Sequence, residues 1–246
     1  IARTNQSLIS DNFPSGLIME LIEDNLENAK EELISKGYEI IKWGGKGKDC
    51  YIKDLFRVIF NNPNYRVVAI NDLSETRILS HLLKYDSIHG HFPFSVSFDK
   101  NNLIVKKTKI PVFKIKEKNN FPWKKLSVDL VIESTGKYLK QQDAFSHINA
   151  GAKKVIITAP SKEKDIKTIV LGVNHNIING TEKIISNASC TTNCAAPMIK
   201  ILNDNFGVEK AYVTTIHSYT SDQNLHDSHH HDLRRARSAP NSIIPT

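Results

Sequence analysis

The sequence predicts an α/β fold built on a parallel sheet. Short runs of apolar, β-branched residues alternate with helix-length segments, the pattern of strands joined by crossover helices. Each run ends on a polar or acidic residue: Asp72, Thr135, Thr158 and Cys190. Open α/β sheets bind ligands at the carboxyl ends of their strands. The agreement among four strand ends carries more weight than any single run.

The elements follow in chain order. Residues 17–36 place Leu17, Ile18, Leu21, Ile22, Leu26, Leu33 and Ile34 at helical spacing with charges between them, and Gly37 ends the pattern. Residues 65–72, YRVVAIND, read as a strand that closes on an acid. A second strand is expected over 128–136, VDLVIESTG, and a third over 153–161, KKVIITAPS. Between these two lies a helix-length segment with Gly151 as its stop signal. Residues 168–174 and 181–189 read as further strands around a turn at Asn179-Gly180. A helix is expected to follow Cys190, starting there or nearer Pro197, and VTTI at 213–216 reads as a strand.

Composition narrows the class. The chain has 246 residues, 40% of them hydrophobic and 24% charged, which suits one large or two smaller globular domains. There is no apolar run of membrane-spanning length and no signal-peptide pattern at the start. Three cysteines do not make a secreted disulfide framework, so a cytoplasmic protein is expected. The net charge of +7 is spread over scattered lysines and arginines rather than gathered on one stripe, so a solvated basic surface explains it better than a nucleic-acid site.

The stretch NASCTTNCAAP, residues 187–197, holds two of the three cysteines in a polar, threonine-rich turn. A thiolate is the reactive form of cysteine, and a helix N-terminus or a neighbouring base raises its share. Cys190 falls where a strand ends and a helix begins, which supplies the first aid. His217, in VTTIHSYTSDQ, is the candidate base. Cys194 and Tyr219 are expected to be packing residues. His226, His229, His230 and His231 lack a matching carboxylate or thiol set, so no metal site is expected.

SCTTNC, HSYTSDQ and DLRRARSAPNSIIPT, taken in order, resemble the phosphorylating glyceraldehyde-3-phosphate dehydrogenases. The resemblance extends back through AINDL, HLLKYDSIHGHF, ESTG, INAGAKKVIITAPS and LGVNHN, over roughly residues 55–246. It implies a Rossmann-like dinucleotide-binding domain, residues 41–189, followed by the start of a truncated α+β catalytic domain, 190–246; residues 1–40 stay unassigned. It implies that Cys190 attacks the aldehyde of glyceraldehyde 3-phosphate while His217 handles the proton. Hydride leaves to NAD, and inorganic phosphate cleaves the resulting thioester. Ser189 and Thr191 match inorganic-phosphate positions, and Thr220, Asp222 and Arg235 match substrate-phosphate and cofactor-side positions. Asp72 matches the acid on the adenosine ribose, with a helix N-cap as its alternative role. Thr135, Gly136 and Thr158 match other cofactor contacts. A homotetramer is implied for the whole protein.

Two departures stand out. The family's Gly-x-Gly-x-x-Gly falls on GKDCYI, residues 47–52, where Gly47 is kept and Asp49 and Ile52 replace the other two glycines. The family pattern also continues beyond IIPT, with further phosphate and nicotinamide contacts. The expectation is an impaired fragment. Erythrose-4-phosphate dehydrogenase and a non-catalytic, RNA-binding remnant are the rivals.

Overall fold

The computed structural model describes residues 40–43, 49–60, 62–161 and 163–245. The amphipathic segment expected before residue 37 and Gly47 of the fingerprint lie outside them. The elements, in order, are β1 (Ile40–Trp43), α1 (Asp49–Ile59), β2 (Ile70–Asn71), α2 (Thr76–Lys84), β3 (Val96–Phe98), β4 (Asn102–Val105), β5 (Thr108–Phe113), β6 (Leu130–Glu133), α3 (Gln141–Asn149), β7 (Lys154–Ile157), β8 (Lys167–Thr168), β9 (Ile184–Ser186) and α4 (Cys190–Phe206).

The strands form one sheet in the order β3-β4-β5-β2-β1-β6-β7-β9-β8. β1 lies between β2 and β6 and pairs parallel with both, so the order reverses there. β6, β7, β9 and β8 continue in parallel, and β5 pairs parallel with β2. Only β3, β4 and β5 pair antiparallel, as a meander at one edge. A crevice at a strand-order reversal is where doubly wound sheets take their ligands.

Two cores result from the period-2 alternation of the strands. Leu130 and Ile132 point to a core with Phe56, Ile59, Leu83, Phe92 and Leu103. Val131, between them, points to the other side, with Trp123, Val155, Ile157 and Ala144. All four residues of β6 are buried, as a strand covered on both faces requires.

The strands are shorter than the apolar runs. The 65–72 run yields paired backbone only at Ile70 and Asn71, because β1 and β5 run beside it for two residues each. The 168–174 run ends its ladder at Thr168. There Asn174 replaces the strand partner, its side chain accepting from Val170 N–H and donating to Thr168 O, and the chain turns away. β9 stops at Ser186, since Ala188 takes a φ of 57°. The strand expected at 213–216 is not formed: VTTI has no ladder partner among the described residues.

Gly151 does end the helical pattern, one residue past the Ala150 cap of α3. Its φ is 108°, and a Cβ there would stand 2.5 Å from Lys124 Cβ. Both the conformation and the space exclude a side chain. Gly151→Ala is therefore expected to cost about 2–3 kcal/mol in urea unfolding; a loss below about 0.5 kcal/mol would contradict this packing.

Candidate active site

The site begins where β9 hands over to α4. Ser189 caps the helix: its Oγ accepts the Thr192 N–H at 3.0 Å, and its backbone is extended. A serine in that position satisfies one of the helix's unpaired N–H groups. Cys190 is thus the first helical residue, and the alternative of a start near Pro197 is corrected. Pro197 lies inside α4 and lacks the N–H that would bond back to Asn193 O.

Asn193 braces this corner. Its Nδ2 donates to Asn187 O at 2.7 Å and to Ser189 O at 2.9 Å. Ser186 Oγ accepts the Ala188 N–H, so the left-handed Ala188 is tied on both sides. The sequence alone assigns Asn193 no role. Its spacing of four from Ser189 was the available signal, since residues four apart share a helix face.

Cys190 Sγ lies 3.3 Å from His217 Nε2. His217 Nδ1 is 2.6 Å from Ser218 O, a carbonyl that can only accept, so Nδ1 carries a proton and Nε2 faces the sulfur. A proton leaving the thiol then has a base in reach, which makes a thiolate–imidazolium pair. Burial pushes the Cys190 thiol up, but hydrogen bonds from His217 and Thr191 outweigh it and leave the thiol lowered. The Ser218 carbonyl and then the Cys190 sulfur raise His217. These two shifts belong to one coupled pair. Thr191 Oγ1 stands 4.0 Å from the sulfur. Cys190, Thr191, Cys194, Ala195, Met198 and residues 213–218 line an open cleft of about 420 Å³.

Thr220, Asp222 and Arg235 form a second group. Arg235 Nη1 donates to Asp222 Oδ2 at 2.6 Å, and Thr220 donates through both N–H and hydroxyl to Gln223 Oε1. Gln223, 6% exposed, is a residue the sequence reading missed. Two packing expectations are corrected: Cys194 is exposed and Tyr219 is 57% exposed. Cys194 shares the open cleft with Cys190, and the segment carrying Tyr219 has no strand partner among the described residues. Among the described residues there is no cluster of three or more metal-ligating side chains, and no helix is long and apolar enough to cross a membrane.

At the sheet's reversal, Asp72 follows β2 and is 1% exposed. Its Oδ1 accepts Ser74 N–H at 2.8 Å, a local turn; the α2 N-cap is Glu75, so the capping alternative for Asp72 does not hold. Ser134, Thr135 and Gly136 follow β6, with Gly136 at a φ of 67°. Thr158 follows β7 and donates through N–H and Oγ1 to Glu133 O. Ser134 Oγ is buried without a hydrogen-bond partner, so a polar ligand in this crevice would satisfy an otherwise orphaned hydroxyl. The residues present fit a dinucleotide in that respect. Asp49, matched to the fingerprint's second glycine, is the first residue of α1, and Ile52 lies in its first turn.

Fold and site together define an α/β protein of the doubly wound type with a cysteine–histidine couple seated on a helix N-terminus. Comparison with known proteins makes this specific. Residues 52–141 match the family described as the NAD binding domain of glyceraldehyde 3-phosphate dehydrogenase, and residues 189–246 match its C-terminal domain. The chain belongs to the glyceraldehyde-3-phosphate dehydrogenase family. It is 50% identical over 192 residues to the enzyme of that name from Mycoplasma pneumoniae, covering 78% of this chain and 57% of the relative. With the Geobacillus stearothermophilus relative the identity is 49% over 207 residues, 84% of this chain and 62% of the relative. With that of Thermotoga maritima it is 51% over 194 residues, 78% and 58%. The chain therefore spans about three fifths of the length of these curated relatives.

His217→Asn is expected to slow alkylation of Cys190 by iodoacetamide about tenfold at pH 7. Because the thiol is lowered, the wild-type rate should persist below the pH at which an ordinary thiol fades, and fall only as pH drops through the lowered value. Equal rate–pH profiles for the two proteins would remove His217 as the activating base.

Proposed function

We propose that this chain carries the catalytic cysteine and histidine of an NAD-dependent, phosphorylating oxidation of glyceraldehyde 3-phosphate to 1,3-bisphosphoglycerate. The observation that carries the reading is the 3.3 Å contact between Cys190 Sγ and His217 Nε2 at the start of α4. The relatives' shared name supports the substrate.

The Cys190 thiolate adds to the aldehyde carbon, and a thiohemiacetal forms on its sulfur. His217 Nε2, already facing the sulfur, holds the thiol proton and manages the proton of the new oxygen. The unpaired N–H groups of the first turn of α4 favour negative charge on that oxygen. The dinucleotide, when bound, would take the hydride from the thiohemiacetal carbon, and loss of that hydride together with the oxygen's proton makes the carbon on Cys190 a thioester. Inorganic phosphate then attacks the thioester carbon, and the acyl phosphate departs with the thiolate restored. Ser189 and Thr191 are assigned to inorganic phosphate, and Thr220, Asp222 and Arg235 to the substrate-phosphate and cofactor side. Asp72, Thr135, Gly136 and Thr158 would hold the dinucleotide; Gly47 belongs to the same proposed set.

In this reading residues 41–189 form the cofactor domain and 190–246 the opening of the catalytic domain, within a cytoplasmic homotetramer. Met198, Ile201, Leu202 and Phe206 expose apolar surface along α4, and the relatives are longer. That exposed face supports a reading in which α4 is covered in the active enzyme.

The test is NADH formation at 340 nm from glyceraldehyde 3-phosphate, NAD and phosphate. It compares the 246-residue chain with one continued past Thr246 to the length of the relatives. Only the longer chain is expected to turn over. In it Cys190→Ser should lower the rate by roughly a thousandfold or more, while Cys194→Ser keeps most of it. Equal losses in the two variants would overturn the nucleophile's assignment. A faster rate on erythrose 4-phosphate would overturn the substrate.

A further inference from the structure

Behind the Ser134-Thr135-Gly136 turn runs a buried line of polar side chains that the chemistry at Cys190 does not use. Trp123 Nε1 donates to His147 Nδ1 at 3.1 Å, and His147 Nε2 lies 3.3 Å from Glu133 Oε2. Glu133 Oε1 accepts the Thr135 N–H at 2.6 Å and also the Thr135 hydroxyl. Trp123 and His147 are 0% exposed and Glu133 is 1% exposed. Phe121 stacks on the imidazole at 4.9 Å, and burial followed by the charge of Glu133 pushes the Tyr138 phenol up to about 12.

The proton positions in this line follow from chemistry. An indole N–H only donates, so His147 Nδ1 must accept. The imidazole proton then sits on Nε2 and points at Glu133. Both carboxylate oxygens are thereby given donors, one from His147 and two from Thr135. With its hydrogen donated to Glu133 and one lone pair taken by Lys137 N–H, Thr135 Oγ1 is left able only to accept from a ligand.

We propose that Glu133 is a positioning residue for the cofactor turn, held by His147 and Trp123, and that it sets Thr135 to receive a hydrogen bond from the dinucleotide. The cofactor part rests on the reading given under Proposed function. The positioning part stands on the geometry alone.

Glu133→Gln keeps the shape and breaks the logic. Either the new NH₂ faces the His147 N–H, or it faces the Thr135 N–H, and in both cases donor meets donor. Trp123→Phe should relieve the conflict, because His147 can then move its proton to Nδ1 and accept from the amide through Nε2. A side chain that only filled the core would show no such rescue.

The experiment is amide hydrogen exchange on the 246-residue chain, read at residues 134–137 and, as a control, at β7. In Glu133→Gln exchange should rise about tenfold or more at 134–137 and stay unchanged in β7. In Glu133→Gln/Trp123→Phe it should return toward the wild-type rate. No rise in the single variant, a rise shared by β7, or effects that simply add in the double variant would overturn the proposal. Should the variants not fold, nitrogen-15 NMR of the wild-type His147 decides: protonated Nε2 with bare Nδ1 supports the line, and the reverse tautomer overturns it. Calorimetric titration with NAD separates the two readings. Binding by wild type that weakens about tenfold in Glu133→Gln supports both, and equal binding overturns the positioning role. Absence of NAD binding by wild type counts against the cofactor reading, while the exchange data still judge Glu133.

Discussion

Parallel pairing across the sheet is the constraint on which the other features depend. Parallel strands all end on the same edge, so whatever follows β2, β6, β7 and β9 is gathered along one side. That edge receives Asp72, the Ser134–Gly136 turn, Thr158 and the Ser189-Cys190 corner. The two hydrophobic cores on opposite faces hold the sheet in place, and the alternation of Leu130, Val131 and Ile132 feeds both at once. Antiparallel pairing of β6 with β7 would have put Thr135 and Thr158 at opposite edges.

On that edge, two kinds of polar arrangement coexist. The Cys190–His217 pair is open to a cleft, where a proton can pass between sulfur and nitrogen and solvent can reach both. The Trp123–His147–Glu133 line is closed, and each of its hydrogen bonds limits the directions open to the next. Low dielectric makes an unpaired group costly there, about 1–3 kcal/mol for a neutral one and more for a charge. The first arrangement suits chemistry and the second suits rigidity. The corner around Ala188 lies between them: a left-handed alanine costs roughly 1 kcal/mol or more, and Asn193 and Ser186 provide the hydrogen bonds that hold it.

Much was legible in the sequence because local chemistry decided it. The β-branched runs named most of the strands and Gly151 marked the end of α3, while the start of α4 was left open between Cys190 and Pro197 until the Ser189 cap decided it. Cys190 and His217 were readable as candidate partners from their residue types and polar surroundings, although the strand expected to end at His217 is not formed. Glu133 was not readable as anything but the close of a buried strand. Its meaning comes from His147, fourteen residues on, and Trp123, ten residues back, which only the fold brings to it. Cys194 and VTTI were misjudged for a related reason: helical spacing and β-branching say which faces can be covered, and say nothing of whether a neighbour is there to cover them.

The sequence by itself determined the class of fold and the order of the strands' polar ends, and it offered Cys190 and His217 as candidates, since these follow from short-range pattern and residue chemistry. The tertiary structure decided the lengths of β2 and β8, the reversal of strand order at β1, the tautomers of His147 and His217, and the buried line behind Thr135. These depend on which distant groups meet. A strand extends only as far as its neighbours pair with it, and a proton sits on the nitrogen that has no donor facing it.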